Sequence, residues 1–187
     1  MTDIMRALRD EHANIVRLLD ALERQLELFD RAGRPDYDIV RGIADYFLSF
    51  PDLYHHPKED LLFRKLQARD PETARRFGDL QAEHEQLAAR TREFAAAVRD
   101  VLEEAEVPRE AFDRWTRDFI DFQRQHLKKE EQVFFPAAEL SLTDDDWAEL
   151  IGRMTDWDDP LFGAEVGKRY EVLRSNILSW EREAGRR

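Results

Sequence analysis

The chain has 187 residues, long enough for one domain with a sizeable core, with 37% charged and 42% hydrophobic residues. Acids outnumber bases 41 to 29, a balance that repels phosphate backbones and anionic lipid and argues against nucleic acid and membranes as partners. It has no cysteine, which excludes disulfides, thiolate metal sites and cysteine nucleophiles and fits a cytoplasmic home.

The first predicted element carries Leu8, His12, Ile15, Leu19, Leu22, Leu26 and Phe29, spaced three and four apart as on one face of a helix. DRAGRP, Asp30 to Pro35, ends it. A second helical stretch runs from about Tyr37 to Gln67 with Ile43, Phe47, Leu62 and Leu66 in one stripe, kinked or interrupted by Pro51 and Pro57. RDPE, Arg69 to Glu72, opens a third helix whose stripe is Phe77, Leu80, His84, Leu87, Thr91, Phe94 and Val98. After a break over Glu103 to Glu110, a fourth has Phe112, Trp115, Phe119, Phe122, His126, Glu130, Val133 and Ala137 on one face. No strand period occurs, and four long helices with short connections predict an all-α, up-down-up-down four-helix bundle over residues 1–140.

Residues 141–187 read as a helical extension packed on the same domain. Thr143 is a candidate N-cap with Asp146 three residues later. A short helix to about Thr155, the turn DWDDPLFG and a last helix around Val166 to Glu181 complete the chain. No segment is apolar enough to span a bilayer, and MTDIMRALRDEH reads as helix rather than as a signal peptide.

The bundle sequence repeats in halves. RDEHANIV resembles QAEHEQLA, matching His12 to His84; HHPKEDLLF resembles HLKKEEQVF, matching His55 to His126 and Glu59 to Glu130. His12 and His55 are 43 residues apart, His84 and His126 are 42 apart. Each half thus offers one histidine and then a His-x-x-x-Glu pair, whose members share a helix face. Two carboxylates in an apolar core require a positive partner, and Lys58, Lys128 and Lys129 are predicted to face elsewhere. A cation is the economical answer, and imidazole with carboxylate suits iron, manganese or zinc. In the cation-free protein the two glutamates are expected to be protonated by burial and mutual repulsion, so that Glu130→Gln would leave that form as stable or more so. Glu131 is expected to face solvent.

These motifs, DEH at His12, HHPKEDLLF, AEHEQL at His84 and HLKKEEQVFFP, resemble the hemerythrin-like family, the HHE cation-binding domain, over roughly Asp3 to Ala138. The resemblance implies a non-haem di-iron site, two iron ions (Fe2+/Fe3+) with oxo or carboxylate bridges, held by His12, His55, Glu59, His84, His126 and Glu130. His56 is the alternative to His55, pairing with Asp60 one turn on; otherwise His56 and Asp60 back the ligands. Glu11 and Glu83 lie about 100° off the ligand face and read as solvated or backing groups. The chain departs from oxygen-carrying members in two ways: Ala88 stands where their third helix has a second histidine, and Glu130 stands at four residues rather than an aspartate at five. An additional coordination position is then open unless His56 fills it, which favours a sensor or redox role over oxygen storage. DPLFG in the tail resembles a bacterial cytoplasmic branch of the family.

The function implied is binding or sensing of a small ligand (oxygen, nitric oxide or peroxide) or of iron, with a peroxidase- or oxidase-like di-iron enzyme as the alternative. Ferritin-type chemistry is disfavoured because no Glu-x-x-His pair occurs. A metal-free helical interaction module, its histidines structural, is the competing reading. Phe47, Phe63, Phe119 and Phe122 are candidate pocket-lining residues.

Overall fold

A computed structural model describes residues 2–31, 33–103, 109–154, 159–163 and 167–184. Every regular element among them is helical. Helix α1 spans Asp3–Asp30 and starts at Thr2, whose hydroxyl accepts from the Met5 amide. Helix α2, Tyr37–Phe47, is capped by Asp36. A wide π turn, Pro51–His55, leads into α3, His56–Arg69. Pro71–Phe77 forms the short α4 and Leu80–Leu102 forms α5. Helix α6, Arg109–Lys129, passes through a second π turn, Glu130–Phe134, into α7, Phe135–Ser141. Helices α8, Asp144–Arg153, and α9, Glu171–Ala184, complete the chain, the latter after a 3₁₀ turn at Lys168–Tyr170.

Both π turns have one local cause. In each, the residue before a proline donates its amide five residues back: His56 to the Pro51 carbonyl, Phe135 to the Glu130 carbonyl. A proline ring collides with the carbonyl four residues behind it and brings no amide. One extra residue in the preceding turn accommodates Pro57 and Pro136 without ending the helix, the usual form of a π bulge.

The second bulge also corrects the fourth stripe. Val133 is 48% exposed, whereas Phe134 and Ala138 are buried. An inserted residue moves every later side chain by one position, so the period counted from Phe112 fails after Glu130. Trp115 is likewise 43% exposed, its place inside taken by Thr116. The third helix, expected from the RDPE stretch, instead begins at Leu80. Gly78, at φ 109°, breaks it, and Asp79 caps the new start by accepting from the Ala82 amide. The stripe itself, Phe77 through Val98, is buried as predicted.

Helix α1 packs against α2 and α6, and α5 packs against α2 and α6. Arg117, Arg124 and Glu131 pair with Asp30, Asp20 and Arg9, so the first and last long helices run antiparallel. The core falls into two apolar clusters. One holds Ile15 to Phe29, Ile39 to Phe50, Phe94, Val98, Phe112 to Leu127 and part of the extension. The other holds Ile4 to Leu8, Leu62 to Leu66, Phe77, Leu80, Phe134 to Ala138 and α8 residues Trp147 and Leu150. The histidines and the two glutamates occupy the layer between them, sealed from solvent on both sides along the bundle.

The extension is tied to the bundle by two buried acids. Asp146 completes the predicted capping box with Thr143 and receives two hydrogen bonds from Arg69, each 2.9 Å. Asp159 in the DPLFG turn accepts from the Tyr46 hydroxyl at 2.8 Å and from the Leu161 and Phe162 amides at 2.8 and 3.0 Å. Burial, then Asp159 and Glu11, push the Tyr46 hydroxyl well above its ordinary range, which keeps it a donor. The last helix begins at Glu171; Thr155 and Val166, proposed as helix ends from sequence, lie outside the described residues, as does most of the Glu103–Glu110 break. No described helix is long and apolar enough to cross a membrane.

Candidate metal centre

Four elements converge on the polar layer. Helix α1 brings His12, the π turn and α3 bring His55, His56 and Glu59, α5 brings His84, and the end of α6 brings His126 with Glu130. Glu59 and Glu130 are 0% exposed, and the five histidines are between 1% and 7% exposed. All six residues proposed from sequence meet here. His56 is not an alternative to His55 but a further member.

The inward-facing nitrogens surround the two carboxylates. Nε2 of His12 lies 3.2 Å from Glu59 Oε1 and 3.4 Å from Glu130 Oε2. Nε2 of His55 lies 3.4 Å from Glu59 Oε2, and Nε2 of His126 3.0 Å from Glu130 Oε1. Nε2 of His84 reaches both, at 3.4 Å from Glu59 and 3.5 Å from Glu130. Two potential cation sites result, one from His12, His55 and Glu59, the other from His56, Glu59, His84 and His126, and Glu59 belongs to both.

The outward-facing nitrogens are fixed by a second set of carboxylates. Nδ1 of His12 donates to Glu131 at 2.9 Å, His55 to Glu11 at 2.7 Å, and His84 to Asp60 at 2.9 Å. Nδ1 of His126 lies 3.6 Å from Glu83, beyond hydrogen-bond length. A carboxylate only accepts, so each bonded Nδ1 carries a proton and turns its Nε2 toward the centre. This carboxylate–imidazole arrangement is the one that orients metal-binding histidines. Three of the acids are themselves held by cations: Glu11 by Lys58 at 2.5 Å, Glu83 by Lys129, and Glu131 by Arg9.

Several sequence expectations are revised by these contacts. His56 does not pair with Asp60; its Nδ1 lies 3.2 Å from Asp52, one wide turn back, while Asp60 turns to His84. The π turn shifts the helical phase between Asp52 and His56. Glu131 does not face solvent but is about one third exposed and bonded to His12. Lys58 and Lys129, expected to face elsewhere, anchor the outer acids. The proposed aromatic pocket is also relocated. Phe47, Phe119 and Phe63 lie inside the apolar clusters, Phe122 lies under Arg90, and the ring against the site is Phe135, stacked on His12 at 4.9 Å. Sequence contained the signal for Phe135 only as FFP; both phenylalanines are buried, and the bulge decides which of them stacks on His12.

Protonation also differs from expectation. Burial and the facing charge of Glu130 oppose ionisation of Glu59, yet His55, His12 and His84 together hold it far below the usual carboxylate range. Glu130 is held down likewise, against its burial, by His126, His12 and His84. The imidazoles take the protons instead. Burial opposes it, but Glu130 pushes His126 up to about 9, Asp60 with Glu130 and Glu59 pushes His84 up to about 11, and Glu130, Glu131 and Glu59 raise His12 well above its ordinary value. His56 goes the other way, down to about 4, through burial and its charged neighbours, against the pull of Asp52. Without a cation, protons shared among imidazoles neutralise the pair of glutamates.

The donor set fits a metal. Nε2 of His55, His84 and His126, Oε2 of Glu59 and both oxygens of Glu130 are buried without a hydrogen-bond partner. Distances of 3.0–3.5 Å between imidazole nitrogen and carboxylate oxygen are what two ligands about 2.1 Å from a shared ion require. Nitrogen and oxygen donors without sulfur suit first-row transition metals.

An all-helical bundle with a buried imidazole–carboxylate cation site is thus the class of protein that fold and site define. The model of the hemerythrin HHE cation-binding domain matches residues 3–138, and the chain belongs to that family. Comparison with curated proteins and with solved structures found no match.

Proposed function

We propose that the chain is a non-haem di-iron protein, an up-down-up-down bundle that binds or senses a small ligand such as oxygen, nitric oxide or peroxide. The observation that carries this reading is the set of buried, partnerless nitrogen and oxygen atoms on His55, His84, His126, Glu59 and Glu130, residues gathered in one layer of the bundle. His12, His55, His84 and His126, together with Glu59 and Glu130, would hold the iron. Iron held there would supply reversible binding of, and electron exchange with, such ligands. The protein's part is to hold the imidazoles by Glu131, Glu11 and Asp60 and to keep bulk water out with the two apolar clusters.

Access supports a small ligand. A groove of about 370 Å³ between α1 and α6, lined by Arg9, His12, Ala13, Val16, Leu127 and Lys128, reaches the edge of His12. A larger groove of about 410 Å³, lined by Phe94, Trp115 and Phe119, contains no histidine and plays no part in this reading. The acidic charge of −12 agrees with a protein that engages neither nucleic acid nor membrane.

Anaerobic reconstitution with ferrous iron, followed by elemental analysis and titration with oxygen, nitric oxide and peroxide, tests the proposal. Two irons per chain and a spectral change on ligand addition are expected. Protein that takes up no iron would refute it, and catalytic consumption of peroxide would move it to the enzyme reading.

A further inference from the structure

The two halves of the site are related residue by residue. His12 corresponds to His84, His55 to His126, Glu59 to Glu130, Glu11 to Glu83, Lys58 to Lys129 and Asp60 to Glu131. The contacts obey the same relation: Glu11 bridges His55 and Lys58 as Glu83 lies between His126 and Lys129. Glu131 and Asp60 back His12 and His84 across the bundle. The correspondence fails at the rim, where Arg9 faces Gln81 in the alignment, and once inside the cluster, where His56 has Leu127 as its counterpart.

His56 is placed as a ligand would be. It is 7% exposed. Its ring stacks on His84 with centroids 4.2 Å apart and stands 6.0 Å from His126. One of its nitrogens lies within 4.8 Å of ligand atoms of Glu59, His84 and His126. Asp52 accepts from its Nδ1 at 3.2 Å. That bond fixes the tautomer, leaving the lone pair on Nε2, as Glu131 does for His12 and Asp60 for His84. Asp52 and His56 stand four residues apart, at the π turn that precedes Pro57.

We propose that His56 is a fifth histidine ligand of this site, completing the ion held by His84, His126 and Glu59. The nitrogens then divide three to two, with His12 and His55 alone on the other side. The inference rests on the di-iron reading. Its alternative is a merely packed imidazole, and Leu127 shows that an apolar side chain is accepted at the equivalent place, 6% exposed.

The experiment loads the full chain with ⁵⁷Fe and compares wild type with His56→Leu, which makes the halves alike at this position. The wild type is expected to show two Mössbauer quadrupole doublets of equal area. In His56→Leu one doublet shifts while the other stays, and one of two iron affinities weakens by at least about 10-fold. In His56→Ala, added imidazole restores the wild-type doublet, which a packing role would not produce. If His56→Leu fails to fold, His56→Gln carries the same comparison. Two unshifted doublets with both irons retained would overturn the assignment of His56 and leave the di-iron reading standing. Absence of iron from the wild type would overturn both.

Discussion

Changing Glu130 to glutamine separates two views of the metal-free protein. If burial dominated, the variant would be as stable as the wild type or more so, because it removes a buried charge. The structure points the other way. Glu130 lies 3.0 Å from His126 Nε2, 3.4 Å from His12 and 3.5 Å from His84, and it is the chief reason that His126 is raised to about 9 against its own burial. A rise from 6.5 to about 9 corresponds to about 3 kcal/mol of folding stability. Because the folded value is the higher one, that stability is fully present below pH 6.5 and is lost as pH rises through about 9. Through His126 alone, Glu130→Gln should therefore destabilise the metal-free protein by about 3 kcal/mol at pH 6 and by about 2 at pH 7.5, and this part of the loss should be gone by pH 10. Urea unfolding of chelator-treated wild type and variant, followed by circular dichroism at the three pH values, measures the difference. Iron content of the variant should also fall below that of the wild type. Metal-free Glu130→Gln as stable as the wild type at pH 6 would refute the reasoning, since the imidazoliums would then not depend on this carboxylate.

Three further outcomes are expected. Iron loading should stabilise the fold by mass action, by about 2.7 kcal/mol per site at a free concentration 100 times Kd, seen as a higher melting temperature, and should release protons near pH 7.5, detectable with a pH indicator in weak buffer, because His84 and His126 must lose theirs to bind. Glu131→Gln, which weakens the support of His12 Nδ1 and the pairing with Arg9, should lower iron affinity about 10- to 100-fold in competition with a chelator while full stoichiometry returns at saturating iron. Asp159→Ala removes the acceptor of Tyr46 and of two turn amides; it should cost about 3 kcal/mol in denaturant unfolding and leave iron content unchanged.

Periodicity and residue type were enough to specify which side chains enter the polar layer. His12, His84 and His126 interrupt apolar stripes, and a repeat that keeps histidines and glutamates at matching places names six of the cluster's members before any fold is known. Helix ends with strong local chemistry were legible for the same reason, as with the capping box of Thr143 and Asp146. What sequence did not contain is the rotation and stagger of one helix against the next. Whether Asp60 meets His56 on its own helix or His84 on another, and whether Glu131 meets water or His12, depends on distances across the bundle that no intrahelical period encodes. The two π turns deepen that limit. Each advances the chain by one residue without changing its composition, so Val133 turns outward, Phe134 turns inward, and His56 joins the cluster beside His55. Pro57 and Pro136 announce that a helix is disturbed, but only packing against three other helices decides that it widens by one residue instead of ending.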